Sequence, residues 1–211
     1  MPESDLIKNP YPYNKPPVWV GRRYRDPASP FYRTLVLGES TYDNPPEADP
    51  EWIYYWIYKR CQLPENGEAL DKTFCRLYLA TSGLATSHDT WPQLYERAPC
   101  WVLEAWFNLF AFHNHIWKTI GGITDRDHID ELYVAFKPDL AKVLELVNPT
   151  YVWVLWPHPN CQIALRVLTD NGIQPEDIII VPKWPGRQAS SAELETSWQQ
   201  LRERIANGLT N

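Results

Sequence analysis

Short apolar runs alternate with longer amphipathic stretches along this chain. Thr34–Leu37, Leu109–His113, Tyr151–Leu155 and Ile178–Val181 are four or five residues each and rich in β-branched or aromatic side chains. Runs of that length with little polar alternation predict strands covered on both faces. Between them, apolar residues recur at helical spacing. The expected helices are Glu51–Gln62, Leu70–Ser82 closed by Gly83, Trp91–Trp106 with Pro92 in its first turn, Cys161–Asn171 closed by Gly172, and Ala192–Ala206 closed by Gly208. Thr124-Asp125 is expected to cap a further helix, His128–Val147, bent or broken at Pro138. Strands separated by helices predict an α/β domain, here a three-layer α/β/α arrangement with a central four-stranded parallel sheet. Residues 1–33 are rich in Pro, Tyr and Arg and show neither period. They predict an extended arm packed on a single domain spanning 34–211.

Composition narrows the classes. The chain has 211 residues, 44% hydrophobic and 22% charged, as expected of one soluble globular domain. Its 11 Trp and 12 Tyr supply core mass and also suit surfaces that stack flat ligands. No apolar run nears the ~20 residues that span a bilayer, so no membrane partner is expected. Cys61, Cys75, Cys100 and Cys161 form no C-x-x-C pair and follow no signal peptide. Reduced thiols in a cytoplasmic protein are the expectation. His158 and Cys161 stand three apart without further ligands, which predicts no metal site. The net charge of −6 argues mildly against nonspecific phosphate binding. Two basic stretches could override it locally: Arg22, Arg23 and Arg25 with Arg33, and Lys183 with Arg187.

Ligands of open parallel sheets bind beyond the carboxyl ends of the strands. The four ends here carry Gly38-Glu39-Ser40-Thr41-Tyr42-Asp43, His113-Asn114-His115, Trp156-Pro157-His158-Pro159 and Pro182-Lys183-Trp184-Pro185-Gly186-Arg187. Every one is polar or aromatic, and a parallel sheet gathers them at one edge.

A first strand ending in G-E-S-x-Y, an aromatic run closing on Asn, a helix ending in N-P before V-x-V-L, and a late I-I-V-P loop together resemble the uracil-DNA glycosylase superfamily. The closest likeness is to its bacterial and phage G-E-S-x-Y branch, over about Leu35 to Arg187. The resemblance implies hydrolysis of the bond between a base and its deoxyribose, after the base has been rotated out of the stack. It implies DNA, duplex or single-stranded, as partner and no metal or organic cofactor. Gly38 matches the glycine that lets backbone approach substrate. Tyr42 matches the tyrosine walling the pocket, and Asn114 the amide that reads the base. Ser40 stands where the best-known branch has its catalytic Asp, so Glu39 or Asp43 would orient the water. Lys183 stands where the last motif has His, and its ammonium would neutralise the departing base. Trp184 would wedge the vacated stack, His158 would assist, and Arg187, Arg23 and Arg25 would hold the DNA backbone. The altered motifs point to a base other than plain uracil, such as a modified or bulky pyrimidine.

Plainer readings stand beside these. Glu39 could cap a turn, Ser40 could be an ordinary turn residue, Asn114 could bond loop backbone, and the arginines could be solvated or surface-paired. A catalytically inactive module of the same fold, binding a nucleotide or a protein, is the rival reading. Hydrolysis of a free nucleoside is a third.

Overall fold

A computed structural model of the chain describes residues 18–40, 72–84, 100–116, 129–157, 159, 161–185 and 189–210. Among these residues, five strands form one sheet: β1 (Trp19–Val20), β2 (Thr34–Ser40), β3 (Ala111–Ile116), β4 (Tyr151–Val154) and β5 (Ile178–Ile180). Their order is β1-β3-β2-β4-β5. The last four are mutually parallel, and β1 pairs antiparallel with β3. The sheet is therefore mixed and five-stranded, where four parallel strands were expected. The addition comes from the segment to which no strand was assigned, because two residues are too few to show a period.

The helices are α1 (Lys72–Thr81), α2 (Cys100–Phe107), α3 (Ile129–Ala135), α4 (Lys137–Val147), α5 (Gln162–Asp170) and α6 (Ser191–Thr210), with a 3-10 turn at Pro175–Asp177. The expected helix Glu51–Gln62 and the cap at Thr124-Asp125 lie outside the described residues. The helix expected over His128–Val147 is two helices. Pro138 falls in the first turn of α4, where its missing N–H costs nothing. Gly83 and Gly172 end α1 and α5 with positive φ, +67° and +88°. The next residue's N–H then reaches back into the last turn, Leu84 to Leu79 and Ile173 to Leu168. Gly208 does not end α6, which runs through it to Thr210. A Cβ there would overlap the Tyr151 hydroxyl, so this glycine serves close packing.

Alternation along the strands builds two cores, one on each face. Val36, Phe112, Trp153 and Ile179 join a cluster with residues of α1, α2 and α6. Leu35, Leu37, Ala111, Val152 and Val154 join a second with residues of α3, α4 and α5. Leu35, Val36 and Leu37 are all fully buried, as a strand covered on both sides requires. Tyr24 and Phe31, from the segment read as an arm, are core residues, one in each cluster. Phe31 stacks on Trp198 at 4.4 Å between centroids.

Two consequences matter for the site. Parallel strands β3, β2, β4 and β5 bring their carboxyl ends to one edge. The chain steps from β2 to one side for β3 and returns to the other side for β4. The order thus reverses between β2 and β4, where open α/β sheets hold ligands.

Candidate active site at the strand tips

The first two tips remain strand where loops were expected. Gly38, Glu39 and Ser40 belong to β2, and His113, Asn114 and His115 to β3. Pairing continues through these polar residues, with Gly38 opposite Asn114 and Ser40 opposite Ile116. Hydrogen bonds of the ladder depend only on backbone, so polar side chains do not stop it.

Strand geometry then sorts the side chains. A Cβ on Gly38 would overlap Asn114 Oδ1 and lie 3.2 Å from Phe112 Cζ. Gly38 and Asn114 therefore share the face of the first core, that of Phe112. Glycine leaves room there for the Asn114 amide, which is 7% exposed. Glu39 has the opposite parity and points to the face of α3. Glu39 is 5% exposed, and its carboxylate accepts a hydrogen bond from the Tyr133 hydroxyl of α3. The structure thus brings the backbones of Glu39 and Asn114 together and sends their side chains to opposite faces.

On the α3 face a compact aromatic and imidazole cluster closes the tips. Tyr133 is nearly parallel to Trp156, at 7° and 6.3 Å. His115 lies 5.5 Å from Tyr133 and 6.3 Å from Trp156, centroid to centroid. His115 Nε2 is 3.0 Å from the Tyr133 carbonyl oxygen. A carbonyl only accepts, so Nε2 carries the proton and Nδ1 the lone pair. Nδ1 is buried and has no partner among the described residues. Burial pushes this imidazole down to about 4, so it is neutral at pH 7. Tyr133 and its tie to Glu39 were not foreseen, and His115 was named in the second tip without a role. Strand parity, carried through Glu39, would have exposed the facing but not the partner.

The fourth tip is ordered by two cations. Lys183 is exposed, and its Nζ lies 2.9 Å from Glu193 Oε1 in the first turn of α6. Glu193 also accepts from the Ser190 N–H at 2.7 Å, while its own N–H donates to Ser190 Oγ at 3.2 Å. This reciprocal pair is a capping box. The Lys183 ammonium and then the Ser190 bonds hold the Glu193 carboxyl down at about 2. Arg76 of α1 donates to the carbonyls of Pro185 and Ala189, bracketing the tip segment. Trp184 is half-buried against the second core.

Of the arginines assigned to the DNA backbone, Arg23 and Arg25 are among the described residues, with Arg33 of the same basic stretch. Arg23 bonds through its N–H to the Asn108 carbonyl, before β3, and pairs with Asp26 at 2.9 Å. Arg25 is exposed in the same turn. Arg33 immediately precedes β2 and donates to the Asn148 carbonyl before β4. These residues lie at the amino ends of the strands, away from the tips. Tyr42, Asp43, His158 and Arg187 lie outside the described residues. Among the described residues, no group of three or more His, Cys, Asp or Glu is placed to hold a metal, and no helix is long and apolar enough to cross a membrane. Cys75 and Cys161 are buried, one in each core.

Comparison with protein-family models, with curated proteins and with solved structures gives no match for this chain.

Proposed function

We propose that the chain is a DNA glycosylase-like hydrolase of the cytoplasm that cleaves the N-glycosidic bond of a flipped pyrimidine, uracil or a modified base. In this reading the fold is a three-layer α/β/α domain whose four parallel strands form the working sheet, with β1 appended at its edge. The observation that carries it is the meeting of Gly38 and Asn114 at adjacent strand tips. A glycine that cannot become alanine without displacing an amide is what a pocket for one flat heterocycle needs. Asn114 reads the edge of the base. Tyr42 walls the pocket and Ser40 contacts the substrate. The water is oriented by Asp43. Lys183, released from Glu193 by the negative charge of DNA, neutralises the departing base, and Trp184 and His158 shape the cavity. Arg187, close to Lys183 in sequence, takes a phosphate. No metal or organic cofactor takes part.

The test is incubation with duplexes and single strands carrying uracil, mismatched thymine or modified cytosines, followed by detection of abasic sites. At least one substrate should yield them. Asn114→Ala should lower that rate on the order of 10²-fold or more, because a site built around hydrogen bonds rejects loss of one strongly. No abasic sites from any substrate overturns the reading.

One observation favours a second reading, an inactive module binding a nucleotide or a protein: the Lys183 charge is already paired with Glu193. Salt separates the two. DNA affinity that falls steeply from 50 to 200 mM salt supports the enzyme, and protein capture without DNA affinity supports the module.

A further inference from the structure

We infer that Glu39 is a positioning residue, seated by Tyr133, and that it does not orient the water. The inference rests on the glycosylase reading and reassigns one role within it. Three observations carry it. Glu39 lies on the face of the sheet opposite Asn114 and Gly38, the face on which the glycosylase reading seats the base. A group that activates water must come within about 2.6–3.2 Å of it, and a carboxylate on the far side of its own strand does not. Second, the Tyr133 hydroxyl donates to Glu39 while both side chains are buried, 1% and 5% exposed. Third, Tyr133 is itself held by two further tips. His115 of β3 donates to its carbonyl, and Trp156, which follows β4, lies against its ring.

One tyrosine from α3 thus joins the ends of β2, β3 and β4. Its hydroxyl fixes the Glu39 side chain, and through it the β2 backbone that runs on to Ser40. This role asks only for a hydrogen-bond acceptor at position 39. The carbonyl oxygen of glutamine serves as well as a carboxylate, whereas a water-orienting base has to be ionised.

The experiment compares wild type, Glu39→Gln, Glu39→Leu, Tyr133→Phe and the Leu/Phe double variant. Single-turnover cleavage, its pH profile and urea unfolding are measured on each. Glu39→Gln is expected to rescue cleavage to within about threefold of wild type and to keep the acidic limb of the pH profile. Glu39→Leu and Tyr133→Phe should each lose about tenfold or more in rate. The double variant should be no worse than the poorer single, since all three break one tie. Loss of cleavage and of the acidic limb in Glu39→Gln, with Tyr133→Phe active, overturns the inference and makes Glu39 the catalytic carboxylate. If wild type cleaves nothing, the glycosylase reading fails by itself. The unfolding cycle then decides the tie: non-additivity of about tenfold in the folding equilibrium constant supports it, and additivity overturns it.

Discussion

His115 makes the fold sensitive to mild acid. It sits fully buried beside Tyr133 and Trp156, donating from Nε2 to a carbonyl, and burial lowers it from the usual 6.5 to about 4. The nearby charges act weakly and in opposite senses: Asp139 raises it and Lys137 lowers it. Glu39 faces the same cluster through Tyr133. The native imidazole is neutral, while the unfolded one binds a proton below about 6.5. Between about 6.5 and 4 the unfolded chain therefore holds more protons, and stability falls as pH falls through that window. The stabilisation is fully present above 6.5. At 1.36 kcal/mol per pH unit, the whole gap is worth about 3 kcal/mol, of which about 2 kcal/mol is lost between pH 7 and 5. Urea unfolding followed by tryptophan fluorescence from pH 7.5 to 4.5 measures the decline in wild type and in His115→Gln. Groups common to both proteins cancel in the difference. The stability advantage of wild type over the variant should shrink by about 2 kcal/mol from pH 7 to 5. A difference that stays flat across that range refutes the neutral, desolvated imidazole.

Other outcomes follow from single contacts. Gly38→Ala drives a methyl into Asn114 Oδ1, with Phe112 limiting the escape; it should cost about 1–3 kcal/mol in urea unfolding and abolish base recognition. Lys183→Ala removes the largest influence on Glu193, so its carboxyl should titrate well above 2 by carbon-13 NMR; a midpoint still near 2 refutes that account. Arg76→Ala frees the Pro185 and Ala189 carbonyls. It should cost about 2 kcal/mol and speed hydrogen exchange around 185–189. Arg76→Lys should restore little of this, because one ammonium does not reproduce the guanidinium fork.

What could be read from the chain alone was what neighbouring residues decide. The YVWVL run declared β4 because continuous burial leaves no polar alternation. Gly83 and Gly172 declared helix ends because a left-handed residue is needed there. Gly208 looked the same, but the hydroxyl of Tyr151, distant in sequence, decides its use. The G-E-S and H-N-H stretches looked like loops because local composition is polar, while the partner strand kept them extended. The meeting of Gly38 and Asn114 followed from expecting parallel neighbours. The partner of Glu39 did not, since Tyr133 is 94 residues away on a helix with no motif to mark it. Arg76 was equally hidden, 109 residues before the carbonyl of Pro185.

The short strand β1 has a practical meaning for anyone trimming this protein. A chain begun at Thr34 would look like a tidy excision of a proline-rich leader. It would instead strip the outer flank of β3, exposing a ragged row of amides and carbonyls that invites sticking between molecules. It would also pull the Phe31 ring off Trp198 and Tyr24 out of the opposite core. Shortened forms should be insoluble for reasons unconnected with whatever the tips do, and their silence in an assay would say nothing about catalysis.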